Sequence, residues 1–168
     1  MLLDKGADVN AQGGMYGNAL YAASSRGHDQ GVQMLLDKGA DVNARGGMYG
    51  NALQAASERG DDEVVRMLLD KGADVNAQGG VYGNALYAAS SRGHDQRAAS
   101  ERGHDQVVRM LLDKGADVNA QGGVYGNALH AASRRGHDPR VPILLAKGAD
   151  VNAQGGMYGN ALQAASEE

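Results

Sequence analysis

The residues of this chain best suited to chemistry are its histidines. Four of the five lie in the tripeptide Gly-His-Asp, at His28, His94, His104 and His137. A row of imidazoles could bind metal ions or titrate near neutral pH. The other interpretation is a turn residue that packs between helices and recurs because the surrounding sequence recurs. If the repeated segments that carry these histidines stack on one another, the side chains lie too far apart to share a metal ion. We therefore expect no metal site. Only His94 and His104 are close enough in sequence to form a pair.

Other arrangements for catalysis are missing from the sequence. There is no Cys, which excludes thiol nucleophiles, disulfides and Cys-ligated metals. The patterns G-x-S-x-G, H-E-x-x-H and the Walker A loop do not occur either. The serines recur in AAS stretches without a nearby base. We therefore expect no enzyme activity and no cofactor.

Composition narrows the function classes further. The net charge of −4 argues against general electrostatic binding to nucleic acid. No apolar run approaches the roughly 20 residues of a membrane span, and the first residues do not form a signal peptide. The sequence thus predicts an intracellular, cytoplasmic protein that binds neither nucleic acid nor membrane.

The elements that must position these residues follow from an internal repeat. LLDKGADVN occurs at Leu2, Leu35, Leu68 and Leu111 and returns at Leu144 as LLAKGADVN, at intervals of 33, 33, 43 and 33 residues. Such a period is typical of stacked copies of one supersecondary unit. We expect one array over residues 1–168 with a partial repeat at each end, either a slice of a longer array or a degraded copy of one.

The copy at 45–77 shows what one unit contains. Asn51 is suited to cap a first helix over 51–59, which Gly60 ends. Acidic residues at 61–63 favour the start of a second helix, whose apolar stripe consists of Val64, Val65, Met67, Leu68 and Leu69. Residues 73–77 are predicted to be extended and 78–83 to form a turn. Neither helix can bury its apolar face alone, so neighbouring copies must stack.

The interval of 43 arises from a tandem copy, since AASSRGHDQ at 88–96 is followed by AASERGHDQ at 98–106. A ten-residue insertion, at about 97–106, would turn a continuous helix by about 80° out of register, and Gly103 disfavours helix. We expect a first helix over 84–92, a turn, a short extra helix near 97–102 and a second helix from about 105. In the alternative, 98–102 replaces the end of the first helix and 88–97 loops out.

Two other positions depart from the pattern. Pro142 falls about one turn into a second helix, where a truly interior proline costs up to ~3 kcal/mol. Gly31 replaces the first Val of the apolar stripe.

In order and spacing, these motifs resemble the ankyrin repeat along essentially the whole chain. The matching stretches are the helix starts NALQ, NALY and NALH, the RGHD turns and VVRMLLDKGADVNA. The near-identical copies are similar to arrays in large fungal receptor-like proteins. Asn stands in place of the family Thr at 18, 51, 84, 127 and 160, and the family His occurs only at His130.

The resemblance implies an all-α solenoid of helix-turn-helix units with β-turn fingers, and a protein-binding module or scaffold. It places the partner on a concave side built from finger tips and first-helix surfaces. The corresponding residues here are Arg45, Met48, Glu58, Arg59, Gln78, Val81, Ser91, Arg92, Gln121, Val124, Arg134 and Arg135. They form either a basic strip for an acidic or mixed-charge partner, anchored by Arg59, Arg92 and Arg135, or ordinary helix ends with each Arg paired to a neighbouring acid.

A tyrosine recurs in every finger, at 16, 49, 82, 125 and 158. These rings could bind a partner, but packing of the finger against the next helix is the interpretation we favour. Two other functions stay open: a sensor segment of a larger receptor-like protein with flanking repeats, and a degenerate spacer without a ligand.

Overall fold

The structure, a computed structural model, describes residues 2–91, 98–134 and 138–166, with only the backbone described over 98–103. Described helices alternate between two layers. First helices are α1 (Ala19–Ser24), α3 (Ala52–Arg59), α5 (Ala85–Ser91), α7 (Ala128–Ser133) and α9 (Ala161–Ala165). Second helices are α2 (Asp29–Asp37), α4 (Asp62–Asp70), α6 (Ala98–Asp113) and α8 (Arg140–Ala146), and a 3-10 turn covers Leu3–Lys5.

A seven-residue turn, which we call a finger, precedes each first helix. Fingers 1 to 5 are residues 12–18, 45–51, 78–84, 121–127 and 154–160. Finger 2 contains the antiparallel strands β1 (Arg45–Gly46) and β2 (Gly50–Asn51), and finger 4 contains β3 (Gln121–Gly122) and β4 (Gly126–Asn127). First helices pack on first helices and second helices on second helices along the stack. The predicted helical solenoid is confirmed.

The first helices begin where the sequence predicts because asparagine caps them. The Oδ1 atom of Asn51 accepts a hydrogen bond from the N–H of Gln54 at 2.9 Å, which satisfies one otherwise unpaired donor of the first turn. The same cap recurs at Asn18, Asn84, Asn127 and Asn160. Gly60 ends α3 with φ of 72°, a left-handed conformation that glycine adopts without strain.

The second helix of the type repeat also follows its predicted pattern. The carboxylate of Asp61 accepts a hydrogen bond from the N–H of Val64 at 3.2 Å and so caps α4. Val64, Val65 and Leu68 are fully buried, while the flanking Met67 and Leu69 are half-buried. Equivalent residues of every repeat join one continuous apolar core between the two layers.

The prediction of an extended segment at 73–77 is wrong. The Asp74 carboxylate accepts a hydrogen bond from the N–H of Asn76 at 2.9 Å, and the N–H of Ala77 donates to the Asp74 carbonyl at 3.1 Å. An aspartate side chain that accepts a hydrogen bond from the N–H two residues later stabilises a turn. The segment therefore turns back toward the finger.

Asparagines and ion pairs join neighbouring repeats at the outer end of the second helices. Asn43 donates to the carbonyl of Gly72 at 3.2 Å and accepts from the N–H of Asp74 at 2.8 Å. The arrangement repeats at Asn10, Asn76 and Asn119. Beside it, four lysines each reach back to an aspartate of the preceding repeat: Lys38 to Asp4, Lys71 to Asp37, Lys114 to Asp70 and Lys147 to Asp113.

The ten-residue insertion is accommodated differently from either sequence interpretation. Helix α5 extends to Ser91, as predicted, and the next described residues already belong to α6, which is continuous from Ala98 to Asp113. The predicted break between a short helix near 97–102 and a second helix from 105 is therefore wrong, and so is a loop over 88–91. Residues 92–97 lie outside the described part of the chain.

Pro142 does not lie in a helix interior. Helix α8 starts only at Arg140, so Pro142 is its third residue, where a backbone N–H would have no partner within the helix. The expected cost of an interior proline does not arise. The helix is shorter instead, with seven residues against nine in α4.

Candidate interaction surface

One apolar side chain stands at the tip of every finger and is largely exposed. Met15 is 83% exposed, Met48 67%, Val81 50%, Val124 57% and Met157 66%. Ordinary surfaces expose single apolar residues, but here they recur at one place in each repeat and so form a row along the molecule. We call this row, with the bases of the fingers and the exposed ends of the first helices, the finger face.

The finger tyrosines form a second row just behind the tips. The rings of Tyr49 and Tyr82 stack with centroids 5.4 Å apart, and those of Tyr125 and Tyr158 stack at 5.6 Å. Four of the five are half-buried, and Tyr16 at the end of the row is more exposed. This arrangement supports packing as their main role, with ring edges and hydroxyls left at the surface.

Tyr21 and Tyr87 lie beneath the following finger and are almost completely buried. The hydroxyl of Tyr21 accepts a hydrogen bond from the N–H of Tyr49 at 3.1 Å, and that of Tyr87 accepts one from Tyr125 at the same distance. Burial raises the pKa of both phenols above the ordinary value, and these backbone hydrogen bonds oppose the rise. Each phenol therefore stays neutral and holds the tip of the next finger.

Other side chains occupy the same position in the neighbouring repeats. Gln54 donates from Nε2 to the carbonyls of Ala77 at 3.2 Å, Gly79 at 3.2 Å and Gly83 at 2.9 Å. The ring nitrogens of His130 lie 3.0 Å from the carbonyl oxygens of Tyr125 and Ala153. His130 thus joins its own finger to the next repeat, and Gln54 likewise reaches the finger of the next repeat. No motif indicates the role of Gln54, which can be inferred only from its place in the repeat.

Arginines at the ends of two first helices stack on finger tyrosines. The guanidinium carbon of Arg134 lies 4.6 Å from the centroid of Tyr125, and that of Arg26 lies 5.0 Å from the centroid of Tyr16. Arg26 also donates to the hydroxyl of Tyr16 at 3.2 Å. A cation above an aromatic ring is attracted to it while keeping other donors available to a partner.

The residues predicted to bind a partner fall into three groups. Exposed ones are Arg45, Met48, Arg59, Gln78, Val81, Gln121 and Val124, and half-buried ones are Glu58, Ser91 and Arg134. Arg92 and Arg135 lie outside the described residues. Because the first helices of the central repeats are otherwise buried, they offer only their last turn to the surface. The finger face therefore consists mostly of finger residues.

The charge of the face depends on what surrounds each arginine. Arg59 attracts the carboxylate of Asp61, whose pKa is nevertheless raised, first by burial and then by the nearby charge of Asp29. Arg45 is exposed and reaches the carbonyl of Gln78 at 3.5 Å. Arg59 thus has an acidic neighbour, as the second of the two interpretations expects, and Arg45 extends along the finger bases.

His104 and three serines of the first helices are placed for packing. His104 is buried against Gly60, with Nε2 2.9 Å from the carbonyl oxygen of Glu58, whereas His28 is exposed before α2. His94 and His137 lie outside the described residues, so the pairing of His94 with His104 is not described. Ser24, Ser57 and Ser90 are buried in the first helices. Among the residues that the structure describes, no three His, Asp or Glu side chains gather as metal ligands.

The outer surface of the stack contains an open groove of about 610 Å³ between α2 and α4. Asp29, Asp37 and Glu63 give it acidic walls, and Met34 and Met67 form part of its floor. Its methionines and its Asp37 and Lys38 also recur in other repeats, but Asp37 and Lys38 are already engaged in the ion pairs between repeats. Within the described residues, no helix is both long and apolar enough to cross a membrane.

Comparison with known proteins identifies the repeat. Residues 1–79 and 80–155 match the family described as ankyrin repeats (3 copies). No curated protein sequence matches the chain significantly.

Proposed function

The chain belongs to the ankyrin repeat family, and we propose that it is a protein-interaction module or scaffold whose partner lies on the finger face. Ankyrin repeats are in general non-catalytic modules that bind other proteins. The observation that supports this surface is the row of apolar tips, exposed in every repeat although nothing in the stack requires it. Exposed apolar residues that recur in a row are typical of protein interfaces.

The partner we propose is acidic or of mixed charge. Arg45 at a finger base and the stacked Arg134 place cations beside apolar tips, a combination enriched at the centres of interfaces. Arg59, Arg92 and Arg135 are the proposed anchors at the helix ends. We place the protein in the cytoplasm on its lack of cysteine, and we assign no role to nucleic acid or a membrane.

Site-specific photo-crosslinking tests the surface. A benzophenone amino acid at Met48, Val81 or Val124 should capture the same partner from an extract of the source organism, while one at Gln33 or Glu63 on the outer groove should not. The captured protein is then purified and titrated against the wild-type chain and a chain carrying Met48→Ser, Val81→Ser and Val124→Ser. We expect the triple variant to bind at least about tenfold more weakly. Capture from the outer groove alone would overturn the proposal.

Charge reversal tests the anchors separately. Arg59→Glu, Arg92→Glu and Arg135→Glu together should weaken binding to that partner and flatten its dependence on salt. Reversal of the outer-face charge in Arg66→Glu serves as the matched control. Unchanged affinity and salt dependence in the triple variant would remove the basic strip from the proposal and leave the apolar tips.

A sensor segment within a longer array is the second candidate. Leu162 is 76% exposed, whereas the equivalent Leu53, Leu86 and Leu129 are buried by the helices that follow them. We propose that flanking repeats of a longer chain cover it. A variant extended by one further repeat should melt at higher temperature and more cooperatively, as repeat arrays do. A broad transition in both forms would favour a degenerate spacer instead.

A further inference from the structure

Fingers 3 and 4 have the same sequence, Gln-Gly-Gly-Val-Tyr-Gly-Asn, and different backbones. Finger 4 pairs two residues on each side, Gln121 with Asn127 and Gly122 with Gly126, and Gly126 has φ of 108°. Finger 3 has a single bridge between Gly79 and Gly83, and Gly83 has φ of 74°. We call these the ladder form and the bridge form. An identical heptapeptide cannot choose between them, so the surroundings must.

The remaining fingers sort into the same two forms. Finger 2 is a ladder, with Gly50 at φ of 104°. Finger 1 has the single bridge, between Gly13 and Gly17. Finger 5 has the hydrogen bond typical of the bridge form, from the N–H of Gly155 to the carbonyl of Gly159 at 2.7 Å, and φ of 81° at Gly159.

The side chain at the third position of the preceding first helix separates the two forms. Both ladders follow a tyrosine, Tyr21 before finger 2 and Tyr87 before finger 4. The bridge forms of fingers 3 and 5 follow Gln54 and His130. A tyrosine beneath the finger therefore accompanies the ladder form, and glutamine or histidine accompanies the bridge form.

The residue at the same position of the finger's own helix does not explain the pattern. In the ladder forms this residue is Gln54 for finger 2 and His130 for finger 4. Finger 5 also has a glutamine there, Gln163, but takes the bridge form. Only the preceding helix accounts for all fingers that have one.

The difference in reach between the side chains supplies the cause. The phenol of Tyr87 extends beneath the tip, where its ring lies against Gly123 and its oxygen accepts the N–H of Tyr125. The shorter Gln54 reaches only the base, where it donates to the carbonyls of Gly79 and Gly83. The oxygen of Tyr87 also attracts the N–H of Val124, so tyrosine draws both N–H groups of the tip inward, whereas Gln54 contacts only the finger base.

In the bridge form, the N–H at the fourth position of the finger instead joins one tip to the one before it. The N–H of Val81 donates to the carbonyl of Met48 at 3.1 Å, and that of Met157 donates to Val124 at 3.0 Å. In both cases a bridge-form finger donates to a ladder-form finger. The stacked rings fall in the same pairs, Tyr49 with Tyr82 and Tyr125 with Tyr158.

We propose that the buried Tyr21 and Tyr87 are positioning residues of the finger face, because each selects the ladder form of the next finger and so groups the tips in pairs. Met48 pairs with Val81, and Val124 pairs with Met157. The relevance of this pairing to binding rests on the proposed function, since a partner of the finger face would meet two tip pairs rather than five equal tips. The conformational claim itself does not depend on any partner.

Two reciprocal substitutions test the selection by nuclear magnetic resonance. In Tyr87→Gln we expect the glycine signals of finger 4 to move to the positions of finger 3, and in Gln54→Tyr the glycine signals of finger 3 to move to those of finger 4. Gly79 and Gly122 are the reporters, and finger 1 is the internal reference. Both variants place a residue in a position where a neighbouring repeat already carries it. Glycine signals that stay in place in either folded variant overturn the proposal.

Hydrogen exchange of the tip amides tests the grouping. Tyr87→Gln frees the N–H of Val124, which should then donate to the carbonyl of Val81 and exchange more slowly. Tyr87→Phe keeps the ring but removes the acceptor, so the Tyr125 amide should exchange about two to ten times faster. Unchanged exchange of both amides would show that the phenolic oxygen does not hold the tip. Failure of the tip cross-linking above would leave these results unaffected, so the two proposals fail separately.

Discussion

Helices α4 and α6 occupy equivalent places in the stack, but α4 belongs to a regular repeat and α6 contains most of the ten-residue insertion. Helix α4 has nine residues and α6 has sixteen, so α6 begins seven residues earlier relative to the repeat. Their contacts with the preceding repeat nevertheless match. His104 packs on Gly60 as Asp61 packs on Gly27. Contacts between neighbouring repeats, rather than spacing along the chain, therefore set the register.

The insertion is followed by a change in the next repeat. Arg140 stands where α4 has Val64 and α6 has Val107, and it is buried as they are. Its guanidinium pairs with the buried carboxylate of Asp138 and donates to the carbonyl of Ala89 at 3.0 Å. In the regular repeat, the corresponding carbonyl of Ala56 accepts the turn N–H of Asp61. The arginine thus ties α8 to the end of the first helix before the insertion.

Removal of that guanidinium should give the largest effect. Arg140→Met leaves the Asp138 carboxylate buried without its cation, which costs about 3–5 kcal/mol. Urea denaturation followed by far-ultraviolet circular dichroism measures the loss. The double variant Asp138→Asn with Arg140→Val should recover most of it, because valine already fills this position in α4 and α6. A double variant as unstable as the single one would contradict this account.

Matched cavities in the two helices compare their packing directly. Leu68→Ala in α4 and Leu111→Ala in α6 each truncate a fully buried leucine and should each cost about 2–5 kcal/mol. Since the contacts match, we expect the two losses to agree within about 1 kcal/mol. A much smaller loss for Leu111→Ala would show that α6 packs loosely after the insertion.

The asparagine bridges give a smaller and more local comparison. Asn43→Ala removes hydrogen bonds between two regular repeats, and Asn76→Ala removes the equivalent bonds to Gly115 and Asp117, across the insertion. Each variant should lose about 1–2 kcal/mol, from two hydrogen bonds of modest net value. The free energies of unfolding should fall equally. A loss confined to Asn43→Ala would mean that the bridge across the insertion contributes nothing.

The smallest expected effect concerns a titration at the regular turn. Burial raises the folded-state pKa of Asp61, so its contribution to stability is greatest below the unfolded pKa and is lost as the pH rises through the folded one. Asp61→Asn keeps a capping oxygen and should be more stable than wild type at pH 7, by less than about 1 kcal/mol since solvent screens this half-buried group. The advantage should shrink as the pH falls toward 4. Melting curves across this range check it, and an advantage that grows in acid would reverse the sign.

Local signals predicted most of the fold. The caps at Asn51 and its equivalents and the stripe of Val64, Val65 and Leu68 follow from side-chain chemistry and helical period, and both are confirmed. The continuity of α6 could not be read this way. A glycine in a helix costs about 1 kcal/mol, yet Gly103 lies inside α6, next to His104, which packs on Gly60. A contact between distant residues outweighs the local preference.

The candidate site likewise combines features that the sequence predicts with features that it does not. The sequence predicted Met48, Val81 and Val124 as partner-binding residues of the fingers, although it could not predict how far each side chain is exposed. The burial of Arg140 could not be predicted, because its acceptor on Ala89 is 51 residues away. The two finger forms could not be predicted from the fingers themselves either, since fingers 3 and 4 are identical in sequence. What distinguishes them lies in the preceding repeat.

The tyrosine row gives the protein a built-in optical reporter. The chain has no Trp and no Phe, and its seven tyrosines all lie in the fingers or directly beneath one. Near-ultraviolet absorption, emission and circular dichroism therefore report on the finger face alone, while the far-ultraviolet signal reports on the helices behind it. An unlabelled sample can thus show whether a change at the fingers happens with the stack intact, because the two events appear in separate parts of its spectrum.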